Sequence, residues 1–135
     1  MGLSRYRLDV QVAVTDMAQA EDFYEAKLGL SARRSGADGS KVYESGGDSS
    51  LVVYPAPDTA GGSSATLATW YVDDVEQMVD ELTSRGVKFE QYDGVLESGF
   101  DYSTDERGVS PRAGGGKVAW FKDPDGNIFS IESDR

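Results

Sequence analysis

The chain has no cysteine and no histidine among its 135 residues. Without cysteine there is no disulfide, no thiolate metal ligand and no thiol nucleophile. Without histidine the commonest general acid–base is missing, and a Ser-His-Asp arrangement is excluded. Cationic side chains are scarce as well: 13 Lys and Arg stand against 24 Asp and Glu, a formal net charge of −11. That balance opposes nucleic acid or an anionic membrane surface as a partner. No apolar run approaches the roughly 18 residues of a membrane span. The opening "MGLSRYRLDV" enters a strand pattern with no signal-peptide core, so a cytoplasmic location is expected. What is present is an ordinary globular composition, 39% hydrophobic and 27% charged, at a length suited to a single domain over 1–135.

The chain repeats itself. Residues 10-VQVAVTDMAQ-19 read as a strand followed by a helix start, and 68-ATWYVDDVEQ-77 read the same way. Val14 matches Val72, Asp16 matches Asp74, and Gln19 matches Gln77. Each Asp is placed to cap a helix by accepting from its first free backbone N–H groups, with Gln three residues on as in a capping box. The first helix carries an apolar stripe of Met17, Ala20, Phe23, Tyr24 and Leu28. The second carries Val75, Met78, Val79 and Leu82. Gly29 and Gly86 suit helix C-termini. Strands are predicted over 30–35, 40–45 and 50–55, then 87–92, 117–122 and 127–133, with a further short one near 94–98. The order is β-α-β-β-β twice: module 1 over about 6–56, a Pro- and Gly-rich linker over about 57–64, and module 2 over about 65–133. The stretch 99–116, ending in "GGG", is long for a loop and reads as a cover over a site.

Three segments carry a family resemblance. "VAVTDMAQAEDFYEAKLGL", "WYVDDVEQMVDELTSRGVKFEQYD" and "GGKVAWFKDPDGNIFSIES" occur in that order over roughly residues 6–133. Together they resemble the vicinal oxygen chelate superfamily of glyoxalases, bleomycin resistance proteins and dioxygenases. The resemblance implies an α+β fold in which two tandem βαβββ modules form a curved mixed sheet around a cleft. It also implies a homodimer.

Metal-dependent members of that superfamily place His or Glu at four strand positions. The matching positions here are Asp9, Leu67, Ser130 and one on 50-SLVVYP-55, a strand with no His, Asp or Glu. A catalytic divalent metal needs about three protein ligands and an open position. The resemblance therefore implies a metal-free member with no cofactor. An Asp9–Glu132 oxygen site for a hard cation is the one alternative.

Strand side chains alternate, so residues two apart share a face. On that count the cleft face carries Asp9 and Gln11 from the first strand, and Leu67, Thr69 and Tyr71 from the fifth. In the register that the resemblance implies, the final hairpin adds Val118, Trp120, Ser130 and Glu132, and Tyr54 comes from the strand at 50–55. Flat aromatic surfaces with sparse polar groups suit a drug-sized ligand. The expected function is metal-independent binding of a hydrophobic aromatic small molecule, giving antibiotic resistance by sequestration. Trp120 and Tyr71 would stack, and Gln11, Thr69 and Ser130 would orient the ligand. The alternative is a metal-independent lyase or isomerase with Asp9 or Glu132 as its base.

Overall fold

The structure, a computed structural model, describes residues 2–134. It divides into two compact units, one ending at Gly62 and the other beginning at Ser63. Both have the same topology, as the sequence repeat demands.

In the first unit, β1 (Val10–Val14) leads to α1 (Met17–Glu21), then β2 (Ser31–Ser35), β3 (Lys41–Glu44) and β4 (Ser50–Pro55). The sheet order is β1-β4-β3-β2, with β1 parallel to β4 and the other pairs antiparallel. The expected cap is in place: the Asp16 carboxylate accepts from Ala18 N at 2.8 Å and Gln19 N at 3.2 Å. The helix then loosens. Over Asp22–Lys27 it continues as a π-helical stretch, where Leu28 N donates to Phe23 O. Phe23 and Tyr24 still reach the core, where Tyr24 stacks on Tyr43 with ring centroids 6.0 Å apart. Val12, Val14, Leu51 and Val53 are buried with them, which leaves the alternate residues of β1 and β4 on the opposite face. Edge strand β2 is exposed along its length and carries Arg33 and Arg34, charges that blunt an open sheet edge.

Beside that core, Glu25 accepts from Lys41 Nζ at 3.0 Å and from the Tyr43 hydroxyl at 2.9 Å. These two bonds hold the Glu25 carboxyl below its ordinary range, while burial pushes the Tyr43 hydroxyl up. A carboxylate lowered in the folded state stabilises it above the unfolded value. That contribution is lost as pH falls through the folded value. Glu25→Gln is therefore expected to flatten the acid limb of a pH–stability curve below about pH 4.5. At pH 7 the loss is about 1 kcal/mol or less, because the group is partly solvated. Urea unfolding at several pH values reads both effects.

In the second unit, β5 (Thr66–Tyr71) leads to α2 (Val75–Ser84), then β6 (Val109–Pro111), β7 (Lys117–Lys122) and β8 (Ile128–Ser133). The order β5-β8-β7-β6 repeats that of the first sheet, so the fold is α+β with two four-stranded mixed sheets. Asp74 caps α2 by accepting from Gln77 N at 3.1 Å. Val75, Val79 and Leu82 on its inner face are buried, as are Ala119, Phe121, Phe129 and Ile131 of β7 and β8. Trp70 stacks on this layer, 6.2 Å from Phe121 and 5.4 Å from Phe129. The other face of the same sheet carries Val118, Trp120, Ser130 and Glu132.

Two strand expectations are corrected. Residues 87–92 do not form a strand; Phe89 makes a single antiparallel bridge to Phe121. The rest of that edge of β7 belongs to β6, which lies inside the stretch read as a loop. Val87 and Phe89 are buried alternately, so the period-two signal was real, but it marks packing rather than pairing. Beyond Phe89 the chain pairs with its own return. Tyr92 O accepts from Thr104 N at 2.9 Å, Gly94 O from Tyr102 N at 3.0 Å, and Phe100 O from Leu96 N at 2.8 Å. The region near 94–98 is one arm of this small hairpin, with Val95 bridged to Asp101.

Candidate functional site

The turn between β7 and β8 sets the geometry of the final hairpin. Asp123 is buried, and its Oδ1 accepts from Asp125 N at 2.9 Å and Asn127 N at 2.8 Å. Its Oδ2 accepts from Asn127 Nδ2 at 2.8 Å. The Asp-Pro-Asp-Gly-Asn sequence thus folds around its own first carboxylate, the habit that makes Asp a turn former. With the turn fixed, Trp120 faces Ser130 and Val118 faces Glu132 across the antiparallel pair. On the other side of β8, Thr69 is opposite Ser130 and Tyr71 opposite Glu132.

All of these residues except Tyr71 floor a concavity of about 580 Å³ in the second unit, a volume in the range of small-molecule sites. Thr69, Val118, Trp120, Ser130 and Glu132 all line it. Leu96, Phe100 and Tyr102 of the 92–104 hairpin line it too, and so does Arg112 from the turn after β6. Trp120 is half-buried and meets Tyr92 edge to face at 5.3 Å. Burial pushes the Tyr92 hydroxyl up, with Glu90 adding to the effect and Lys122 opposing it. The Thr69 and Ser130 hydroxyls share a 2.6 Å hydrogen bond, and Ser130 is buried. Arg112 Nε pairs with Glu132 at 3.0 Å, and its Nη1 pairs with Asp134 at 2.7 Å. The hydrogen bond to Asp134 holds the guanidinium above its already high value.

The other expected site residues do not line this concavity of the second unit. A bulge between Thr66 and Ala68 takes Leu67 out of the regular pairing, and Thr66 lines the concavity in its place. A one-residue irregularity of this kind changes which side chains face a site. Tyr71, at the C-terminal end of edge strand β5, is 77% exposed and does not line the concavity. Asp9, Gln11 and Tyr54 belong to the first unit. There Gln11 is opposite Val52 and Ala13 is opposite Tyr54, on the face of the sheet away from the buried valines. Asp9 is ion-paired with Arg7, which also donates to the Ser50 hydroxyl at 3.2 Å.

The donor set does not suit the metal that the fold family commonly carries. Of the four matching positions, Ser130 is bonded to Thr69, Leu67 has no donor, and Asp9 is engaged by an arginine. Among the described residues no three His, Cys, Asp or Glu side chains converge.

Residues 8–131 match the model of the Glyoxalase/Bleomycin resistance protein/Dioxygenase superfamily, and the chain belongs to that superfamily. Its fold is shared with TnmS3, an antibiotic binding protein from Streptomyces sp. CB03234, at 27% identity and a TM-score of 0.69 over 98% of each chain. A glyoxalase/bleomycin resistance protein from the same organism is 28% identical, with a TM-score of 0.62 over 92% of this chain and 96% of its own. The fosfomycin resistance protein FosX from Listeria monocytogenes has the same fold at 12% identity, with a TM-score of 0.68 over 95% and 92% of the two chains. No curated protein matches the chain.

Proposed function

We propose that this protein binds a hydrophobic aromatic small molecule without a metal and without turning it over, as an antibiotic-sequestering resistance protein would. The observation that carries this reading is the concavity itself, with Trp120, Phe100 and Tyr102 as aromatic surfaces and the Thr69–Ser130 hydroxyl pair as a polar anchor. The similarity to TnmS3 supports it. So do the two carboxylates that a lyase or isomerase would need as bases, since Asp9 and Glu132 are each committed to a guanidinium. The reading places the protein in the cytoplasm as a homodimer, consistent with a composition that suits neither membrane nor nucleic acid. Among the described residues no helix is long and apolar enough to cross a membrane.

Metal independence has a direct readout. Titration of tryptophan fluorescence with planar aromatic natural products is expected to give the same affinity in excess EDTA as with added zinc or manganese. Affinity that collapses in EDTA and returns with metal would refute the metal-free reading.

A further inference from the structure

We propose that Arg112 selects the ligand of this concavity, favouring aromatic compounds that carry an oxygen acceptor, a carboxylate or a carbonyl. The proposal rests on the reading of the concavity as a ligand site. Arg112 and Glu132 are the charged side chains that line it. A guanidinium offers five N–H donors in a rigid plane. Here Nε is ion-paired with Glu132 at 3.0 Å, and Nη1 donates to Asp134, with further contacts to Ser133 O at 3.3 Å and Gly115 O at 3.4 Å. Nη2 makes no hydrogen bond among the described residues. The guanidinium is therefore anchored through Nε and Nη1, and a ligand oxygen that reaches Nη2 meets a donor whose ordering is already complete.

Charge points the same way. Glu132 already balances Arg112 at 3.0 Å, so a cationic ligand finds its natural partner engaged and an uncommitted guanidinium edge beside it. The net charge of −11 would favour cations at long range. Salt screens that field within roughly 8 Å at physiological ionic strength, which leaves the local contact to decide. Glu132 and Asp134 act as positioning residues that hold Arg112 in place.

The test is equilibrium dialysis of the full chain at 0.15 M salt against naphthalene, 2-acetylnaphthalene, 2-naphthoate and 2-naphthylmethylammonium. A charge-assisted hydrogen bond is expected to give both oxygen-bearing compounds a roughly tenfold or larger advantage over naphthalene, with the ammonium compound no better than naphthalene. The double variant Arg112→Met, Glu132→Gln removes the guanidinium without leaving an unpaired carboxylate in the concavity; the other partner, Asp134, is solvent-exposed. This variant is expected to abolish the advantage, so that within it the oxygen-bearing compounds bind no more tightly than naphthalene. An advantage that is absent in the wild type, or survives in the folded double variant, overturns the role of Arg112 while naphthalene binding upholds the site. Binding of none of the four overturns both. The wild-type ranking tests the proposal even if the variant does not fold.

Discussion

Trp120→Ala is expected to weaken binding of planar aromatic compounds by roughly 30-fold, the loss of a central aromatic anchor. Three features single out this residue. It lines the concavity, its backbone is locked in mid-strand between β8 and Glu90, and its ring is braced edge-on by Tyr92 at 5.3 Å. A ring held this way loses little freedom when a ligand stacks on it, so the contact shows nearly its full value. The second tryptophan supplies the control. Trp70 is on the opposite face, stacked on Phe121 and Phe129, so Trp70→Phe is expected to cost stability and leave affinity nearly unchanged. Dialysis, which does not depend on the fluorophore being removed, measures both. Equal affinity in wild type and the folded Trp120→Ala protein would remove the ring from the site.

Gly116→Ala is expected to destabilise the fold by roughly 3 kcal/mol or more, through backbone strain and a direct clash. Gly116 has φ of 88°, and a Cβ built there would fall 1.9 Å from Ser133 O and 2.6 Å from the carbonyl carbon of Asp134. The obstruction is backbone, so no side chain can rotate away to relieve it. Neighbouring glycines grade the effect. Gly115 has φ of 97° but open space around it, so alanine there costs only the conformational penalty, about 1 kcal/mol. At Gly114, which has neither a positive φ nor a close backbone neighbour, alanine is expected to be near neutral. Urea unfolding of the three variants should rank them in that order. Because Arg112 N donates to Gly116 O in the same turn, the Gly116 variant should also loosen Arg112.

Much of the fold was legible in the sequence because its signals are local. The Asp16 and Asp74 caps, the apolar faces of both helices and the Asp-Pro-Asp-Gly-Asn turn each depend on residues within a few positions of one another. What the sequence did not reveal depends on distant segments. The bulge at Leu67 has no marker in "ATLATWY"; it arises from how β5 registers on β8. β6 lies in a polar, glycine-rich stretch and is defined only by its pairing with β7. Arg7 and Arg112 become the partners of Asp9 and Glu132 only after the chain has turned. Leu96, Phe100 and Tyr102 did leave a trace, as bulky residues in an otherwise polar segment with Phe100 and Tyr102 at strand spacing. That pattern marks the hairpin that lines the concavity.

Binding without turnover leaves the ligand chemically intact, so its recovery separates a binding protein from an enzyme. Each planar aromatic natural product that quenches the tryptophan fluorescence is incubated overnight with equimolar protein. The protein is then unfolded and the small molecule identified by mass and chromatographic retention. Quantitative return of the unchanged compound is expected from wild type. Formation of a product that grows with protein concentration and falls in Glu132→Gln or Asp9→Asn would contradict it and make the protein an enzyme.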